Sequence, residues 1–202
     1  MTYQAWIDRT VAALRALPPG GDVLDQVFAW KGLKRSGIWC EFGVASGGTL
    51  RRLVADRGDA VVLGCDSFEG LPEAWDRGGP SFPRGHFACP VPKIANAVLL
   101  VGSFAETLPS WRPRAPVTLV HIDCDLYASA IAALNAVGPW LAPGAVIVFD
   151  EFWNYEGWEG HEARALYEWS AGIALDWRWV VGGPEAYPNE RAALVWAPAS
   201  HE

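Results

Sequence analysis

Apolar positions along this chain fall into two periods, and the two alternate. Over residues 3–16, Trp6, Val11, Leu14 and Leu17 recur roughly every three or four positions, the spacing of one helical face. Pro18-Pro-Gly-Gly21 stops that helix, and Asp22 can cap a second one with Val23, Val27, Phe28 and Trp30 as its apolar members. From there, short continuous apolar runs take turns with helical spacing. Strands are predicted over 37–44, 60–66, 97–102, 117–123 and 145–150, with helices over 47–54 and 127–141. The second of these helices carries Ile131, Leu134 and Val137 on one face. A helix over 162–173 leads to runs at 177–181 and 192–196, which read as a closing hairpin. Strands apolar on both faces belong to a parallel sheet covered by helices on both sides. The expected organisation is two N-terminal helices (1–36) and one α/β domain (37–202), compact overall.

Two stretches resist the alternation. Residues 72–94 are rich in Pro, Gly and aromatics, and 152–160 in Trp, Tyr and Gly. Long irregular segments in a compact domain are usually functional loops or lids. Both follow strand C-termini, so both should overhang one crevice, where open parallel sheets bind ligands.

The strand ends carry the candidate chemistry. Val117-Thr-Leu-Val-His-Ile-Asp-Cys-Asp125 delivers Asp123 and Asp125, which share a face by strand alternation. Ala145-Val-Ile-Val-Phe149 ends in Asp150 and Glu151. Four carboxylates there can hold a divalent metal or take a proton, and Asp125 can equally be the cap of the following helix. His121 shares the parity of Asp123, although a buried, hydrogen-bonded histidine is the commoner case. His161 follows the aromatic loop and is a second candidate base or substrate contact. Glu41-Phe-Gly-Val-Ala-Ser-Gly-Gly-Thr49 joins the first strand to its helix. It is neither a dinucleotide fingerprint nor a P-loop. An acid at position 41 repels pyrophosphate and attracts an ammonium group, which suits the amino-acid end of S-adenosylmethionine. Asp66, ending the second strand, stands where a carboxylate takes ribose hydroxyls. Trp75, Trp153, Tyr155 and Trp158 either face a substrate ring or pin the two loops.

A formal charge of -7 with no basic stripe disfavours a nucleic-acid partner. No apolar run is long enough for a bilayer, and the first residues lack a secretory pattern. The four cysteines are dispersed, without metal spacing. A cytoplasmic location without a membrane partner is the expectation.

Five segments together resemble the macrocin O-methyltransferase family. They are Glu41–Thr49, Asp66-Ser-Phe-Glu-Gly-Leu-Pro-Glu73, Gly102-Ser-Phe-Ala-Glu-Thr-Leu-Pro109, His121-Ile-Asp-Cys-Asp-Leu-Tyr127 and Pro143-Gly-Ala-Val-Ile-Val-Phe-Asp-Glu151. The resemblance implies a Rossmann-like class I methyltransferase fold, with a mostly parallel seven-stranded sheet, helices on both faces and a C-terminal antiparallel hairpin. It implies S-adenosyl-L-methionine as cofactor and a small hydroxylated acceptor, such as a sugar or a glycosylated natural product. Glu41, Gly43, Ser46 and Gly47 would then hold the methionine portion, Asp66 the ribose, and Ser67 and Phe68 the adenosine. Ser103 and Phe104 would lie near the adenine, with Asp123 also close to the cofactor. Mg2+ would be bound by Asp123, Asp150 and Glu151, and Asp125 would be the general base, with His161 as the alternative. The family pairs two aspartates after the fifth strand, whereas this chain has Asp150-Glu151. A homodimer through the N-terminal helices is a further expectation. A metal-dependent catechol-type O-methyltransferase and a non-catalytic S-adenosylmethionine-binding protein remain the rivals.

Overall fold

The structure, a computed structural model, describes residues 1–18, 20–79, 81–171, 175–181 and 190–198. Two helices open the chain. α1 (Tyr3–Arg15) starts at Thr2, whose hydroxyl accepts from the Ala5 N–H at 3.3 Å. α2 (Val23–Ala29) is capped by Asp22, as its sequence suggests, through a 3.0 Å bond from the Asp25 N–H. Arg52 then bridges Asp22 at 2.6 Å and so ties α2 to the first crossover helix.

The alternating region follows as β1 (Ile38–Phe42), α3 (Gly48–Arg57), β2 (Val62–Asp66), β3 (Trp75–Asp76), β4 (Ser81–Phe82), β5 (Ala97–Val101), α4 (Phe104–Thr107), β6 (Val117–Ile122), α5 (Tyr127–Val137), β7 (Leu141–Phe149), α6 (Glu162–Ser170), β8 (Leu175–Val181) and β9 (Ala192–Pro198). Seven strands form one sheet in the order β5-β2-β1-β6-β7-β9-β8. The first five are parallel, while β9 runs antiparallel to both β7 and β8. This is the doubly wound sheet and closing hairpin that the apolar pattern predicts. The chain reverses its order of strand addition between β1 and β6, and the crevice above that point is the natural ligand position.

Alternation along each strand builds two cores. Cys40, Phe42, Val120, Ile122, Ile147 and Phe149 face α1, α5 and α6. Trp39, Val62, Leu119, Val146 and Val148 face α2 and α3. The N-terminal helices share both cores: Trp6 and Leu14 are buried in the first, and Val23, Leu24 and Val27 in the second.

Two boundaries differ from the expectation for a clear local reason. α5 ends at Val137 rather than 141, because Gly138-Pro139 turns into a single 3-10 turn; a proline has no N–H for a helix interior. β7 begins at Leu141 rather than 145, absorbing Pro143-Gly144 as an irregularity opposite Val117–Leu119, with Gly144 at φ +78°. α6 ends at Ser170. The stretch 72–94 is not wholly irregular, since β3 and β4 pair antiparallel within it. His201 lies outside the described residues. No described helix is long and apolar enough to cross a membrane.

Candidate functional site

A cavity of about 670 Å³ opens over the C-terminal ends of β1, β2, β5, β6 and β7. Its wall includes Gly43, Asp66, Ser67, Ser103, Phe104, Asp123, Asp125 and Glu151. That volume lies within the range of small-ligand pockets. Gly43 sits at φ +90°, and a Cβ there would stand 1.6 Å from the Asp123 carbonyl oxygen, so only glycine lets the β1 and β6 ends approach this closely. Gly47 precedes α3 at φ +81° without any side-chain cap, which leaves the first-turn N–H groups of that helix free for an anion.

Asp66 organises two loops at once. Its Oδ2 accepts the N–H groups of Val44 and Ala45 at 2.6 and 2.7 Å, and Oδ1 accepts that of Phe68 at 2.8 Å. Ala45 and Phe68 both have positive φ, a conformation that side chains usually avoid and that these bonds hold in place. A carboxylate offers about four acceptor positions, so three loop N–H groups still leave one for a ligand hydroxyl. Ser103 forms a capping box with Glu106 at the start of α4.

Not every residue expected at the site reaches the cavity. Glu41 is fully buried beneath it, and Gly47 and Phe68 are also buried. Ser46 is exposed on the outer side of the loop, its carbonyl accepting from Arg51. His161 packs edge-on to Trp75, with ring centroids 6.2 Å apart, and burial holds its imidazole below the usual range. Trp75, Trp153 and Trp158 are buried in the cores, and Tyr155 packs edge-on to Trp75, so these rings pin the loops rather than line the cavity.

A polar strip crosses the sheet just below the cavity. Glu41 and His121 are register partners on β1 and β6, and Asp150 lies two residues beyond Val148, the β7 partner of His121. His121 Nδ1 meets Glu41 at 3.1 Å and its Nε2 meets Asp150 Oδ1 at 3.2 Å. Burial opposes a charge on His121, but the two carboxylates outweigh it and hold the imidazole up at about 10. Burial likewise opposes the charge on Asp150, yet His121 and Arg191 hold that carboxyl down at about 2. Asp123 and Glu151 are pushed well above the carboxylate range by burial and by Asp150.

Asp125 stands apart from its neighbours. β6 ends at Ile122, so strand alternation does not carry Asp125 to the cavity; its own backbone, at φ +63°, does. It does not cap α5, whose first flanking residue is Leu126. Burial and the Asp150 charge push its carboxyl up to about 7, against the opposing effect of Arg77. Arg77 lies between the rings of Trp75 and Tyr155, at 4.6 and 4.4 Å, and pairs with Glu190 at 2.5 Å.

Donor oxygens of Asp123, Asp150 and Glu151 lie within 4.8 Å of one another, and Glu151 Oε2 is buried with no partner among the described residues. An all-oxygen set with one unsatisfied ligand atom fits a hard divalent cation. Two residues of this cluster escape sequence reasoning. Glu162 is wholly buried, its Oε2 accepting the Glu151 N–H at 3.2 Å; in sequence it looks like an ordinary first-turn acid. Arg191 pairs with Asp150 and is also buried. Its position becomes legible only once β9 is known to lie beside β7.

A family model described as a methyltransferase domain matches residues 40–152, more than half of the chain. A tetracenomycin rhamnosyl 4'-O-methyltransferase from Streptomyces olivaceus is 32% identical over 135 residues, covering 55% of this chain and 51% of that protein. The match thus spans about half the length of that relative. Among solved structures, the calicheamicin methyltransferase CalS11 superposes with a TM-score of 0.63 at 26% identity, over 97% of this chain and 80% of that one. The O-methyltransferase NovP superposes with a TM-score of 0.61 at 18% identity, over 95% and 79% of the two chains, a likeness of fold. A methyltransferase-domain match spanning the glycine loop, the acid after β2 and the carboxylates after β6 and β7, on a sheet of this order, places the chain in the methyltransferase-domain family.

Proposed function

We propose that this chain is an S-adenosylmethionine-dependent O-methyltransferase of the macrocin type, acting on a hydroxyl of a sugar or a glycosylated small molecule. The observation that carries the reading is Asp125: a carboxylate on the cavity wall, ionising at about 7, beside Asp123 and Glu151, which are pushed well above the carboxylate range. A base titrating near neutrality is matched to taking a proton from an alcohol as the new bond forms. The relative named as a rhamnosyl-tetracenomycin 4'-O-methyltransferase supports the acceptor class.

S-adenosylmethionine, bound in this cavity, supplies the methyl group. The glycine loop at Gly43 and the uncapped start of α3 suit its amino-acid end, and Asp66 with Ser103 and Phe104 the nucleoside end. A divalent ion held by Asp123, Asp150 and Glu151 would supply Lewis acidity toward the acceptor hydroxyl. The chain's own part is to align the acceptor oxygen and to receive its proton at the Asp125 carboxylate.

The test is methyl transfer to rhamnosylated and other glycosylated phenolic acceptors, with Asp125→Asn in parallel. Turnover in the wild type, with loss of about 10²-fold or more in the variant and unchanged S-adenosylhomocysteine affinity, is expected. Retained turnover in the variant removes Asp125 as the base. Turnover on simple catechols alone transfers the chain to the catechol-type enzymes.

A further inference from the structure

Arg191 immediately precedes β9 and turns its guanidinium onto Asp150 Oδ1, the same oxygen that His121 Nε2 approaches at 3.2 Å. We propose that Arg191 is the resident cation of the carboxylate cluster and competes with a divalent ion for Asp150. The inference rests on the methyltransferase reading above only in taking Asp123, Asp150 and Glu151 as the metal ligands.

The argument is one of occupancy. Two N–H donors converge on Asp150 Oδ1, which uses both of its lone-pair directions. A metal that binds Asp150 through this oxygen must displace one of them, and one that binds through Oδ2 meets the guanidinium charge beside it. His121 is not the one to leave: it is fully buried on β6 and tethered at its other nitrogen to Glu41. Arg191 is held differently. Its Nε has no partner among the described residues, and a guanidinium on a long side chain can swing without moving the backbone. The backbone beneath it is fixed, since the Glu190 carbonyl accepts the N–H groups of Phe152 and Trp153 at 2.9 and 3.2 Å.

Glu190 also holds Arg77 of the β3–β4 segment at 2.5 Å. One dipeptide, Glu190-Arg191, thus joins the segment over the cavity to the carboxylates beneath it. The guanidinium charge helps hold Asp150 low among the acids gathered after β6 and β7. It also sets a cost on metal entry that the family's carboxylates alone would not impose.

The test is Mn2+ binding, followed by electron paramagnetic resonance on chelator-treated protein, in wild type, Arg191→Met, Arg191→Gln and Arg191→Lys. Titration of S-adenosylhomocysteine on the same samples reports an intact cofactor site. Removing one positive charge from the cluster should tighten Mn2+ by about tenfold or more in the Met and Gln variants. The Lys variant keeps the charge and should stay near the wild type. Either neutral variant suffices if the other does not fold. Met and Gln variants that bind Mn2+ no more tightly than wild type overturn the proposal, as does absence of Mn2+ binding in all four proteins. Loss of S-adenosylhomocysteine binding in the wild type would count against the methyltransferase reading instead, while the Mn2+ comparison would still decide the role of Arg191.

Discussion

Replacing Gly43 by alanine is the sharpest test of how the site is held together. Its Cβ would lie 1.6 Å from the Asp123 carbonyl oxygen, whereas ordinary contact begins at 3.4 Å, so one of the two loops must retreat by 1.8 Å. Neither loop is free to do so. The Gly43 N–H donates to the Cys65 carbonyl at 2.9 Å, and the Asp123 N–H donates to that of Phe42 at 2.8 Å. An alanine at φ +90° costs about 1–2 kcal/mol in backbone strain, and overpacking adds about 1–3 kcal/mol. A loss of about 2–5 kcal/mol lowers Tm by roughly 10 °C in a chain of this size. Any residual folded protein has Asp123 displaced by more than 1 Å, which should reduce turnover by about 10²-fold. Gly48→Ala is the control: it has nothing within 4 Å of its added Cβ and should be neutral or stabilising by about 0.5–1 kcal/mol. Calorimetric melting and a methyl-transfer assay decide the matter. A Gly43→Ala protein melting within 2 °C of wild type with full turnover, an allowance set at about the effect of 1 kcal/mol, would refute the close-approach argument.

Turnover should rise with pH through about 7, as Asp125 loses its proton, and Arg77→Met should move that midpoint upward by about half a unit to one unit, because Arg77 opposes the raised value; a pH profile with an unmoved midpoint would separate Arg77 from the base. His121→Gln leaves Glu41 buried without its cation and Asp150 with Arg191 alone, and should cost about 3–5 kcal/mol, measured by urea unfolding. The sign of its pH dependence follows from a folded-state value of about 10 against an unfolded value near 6.5: the stabilisation is complete below 6.5 and is lost as pH rises through 10. Asp150 behaves oppositely, its contribution present above the usual carboxylate value and lost as pH falls toward 2, so both arms of the wild-type stability curve should flatten in His121→Gln. Asp66→Ala removes three bonds that hold Ala45 and Phe68 at positive φ and should weaken S-adenosylhomocysteine binding while costing about 2–4 kcal/mol of stability; calorimetric titration showing unchanged affinity would deny Asp66 a part in the cofactor site.

The sheet was legible because its evidence is local. Buried parallel strands need continuous apolar runs, and each run here ends in glycine or acid, so strand ends and ligand side could be read together. Boundaries failed where one residue's chemistry overrode the period, as at Pro139 and at Pro143-Gly144. The site was legible only on the parallel strands. Gly43, Asp66, Asp123 and Asp125 sit at the ends of elements whose neighbours are set by the alternation of strand and helix. Parity alone placed His121 beside Asp123, and the register of β1 against β6 supplied Glu41. Arg191 and Glu162 depend instead on how an antiparallel strand and a late helix return to the sheet, which no short-range pattern encodes. The same return paths bring in the groups that set the charge of the cluster. Asp150 is held at about 2, against its burial, first by His121 and then by the guanidinium of Arg191, whereas Glu151, one residue on, has a buried oxygen with no partner among the described residues and is pushed well above the carboxylate range by burial and by Asp150. Four acids that look equivalent in sequence therefore divide into one held at about 2, one pushed up to about 7 and two pushed well above the carboxylate range. That division comes from burial, from His121 on the neighbouring parallel strand and from the guanidinium that arrives at the antiparallel end of the sheet.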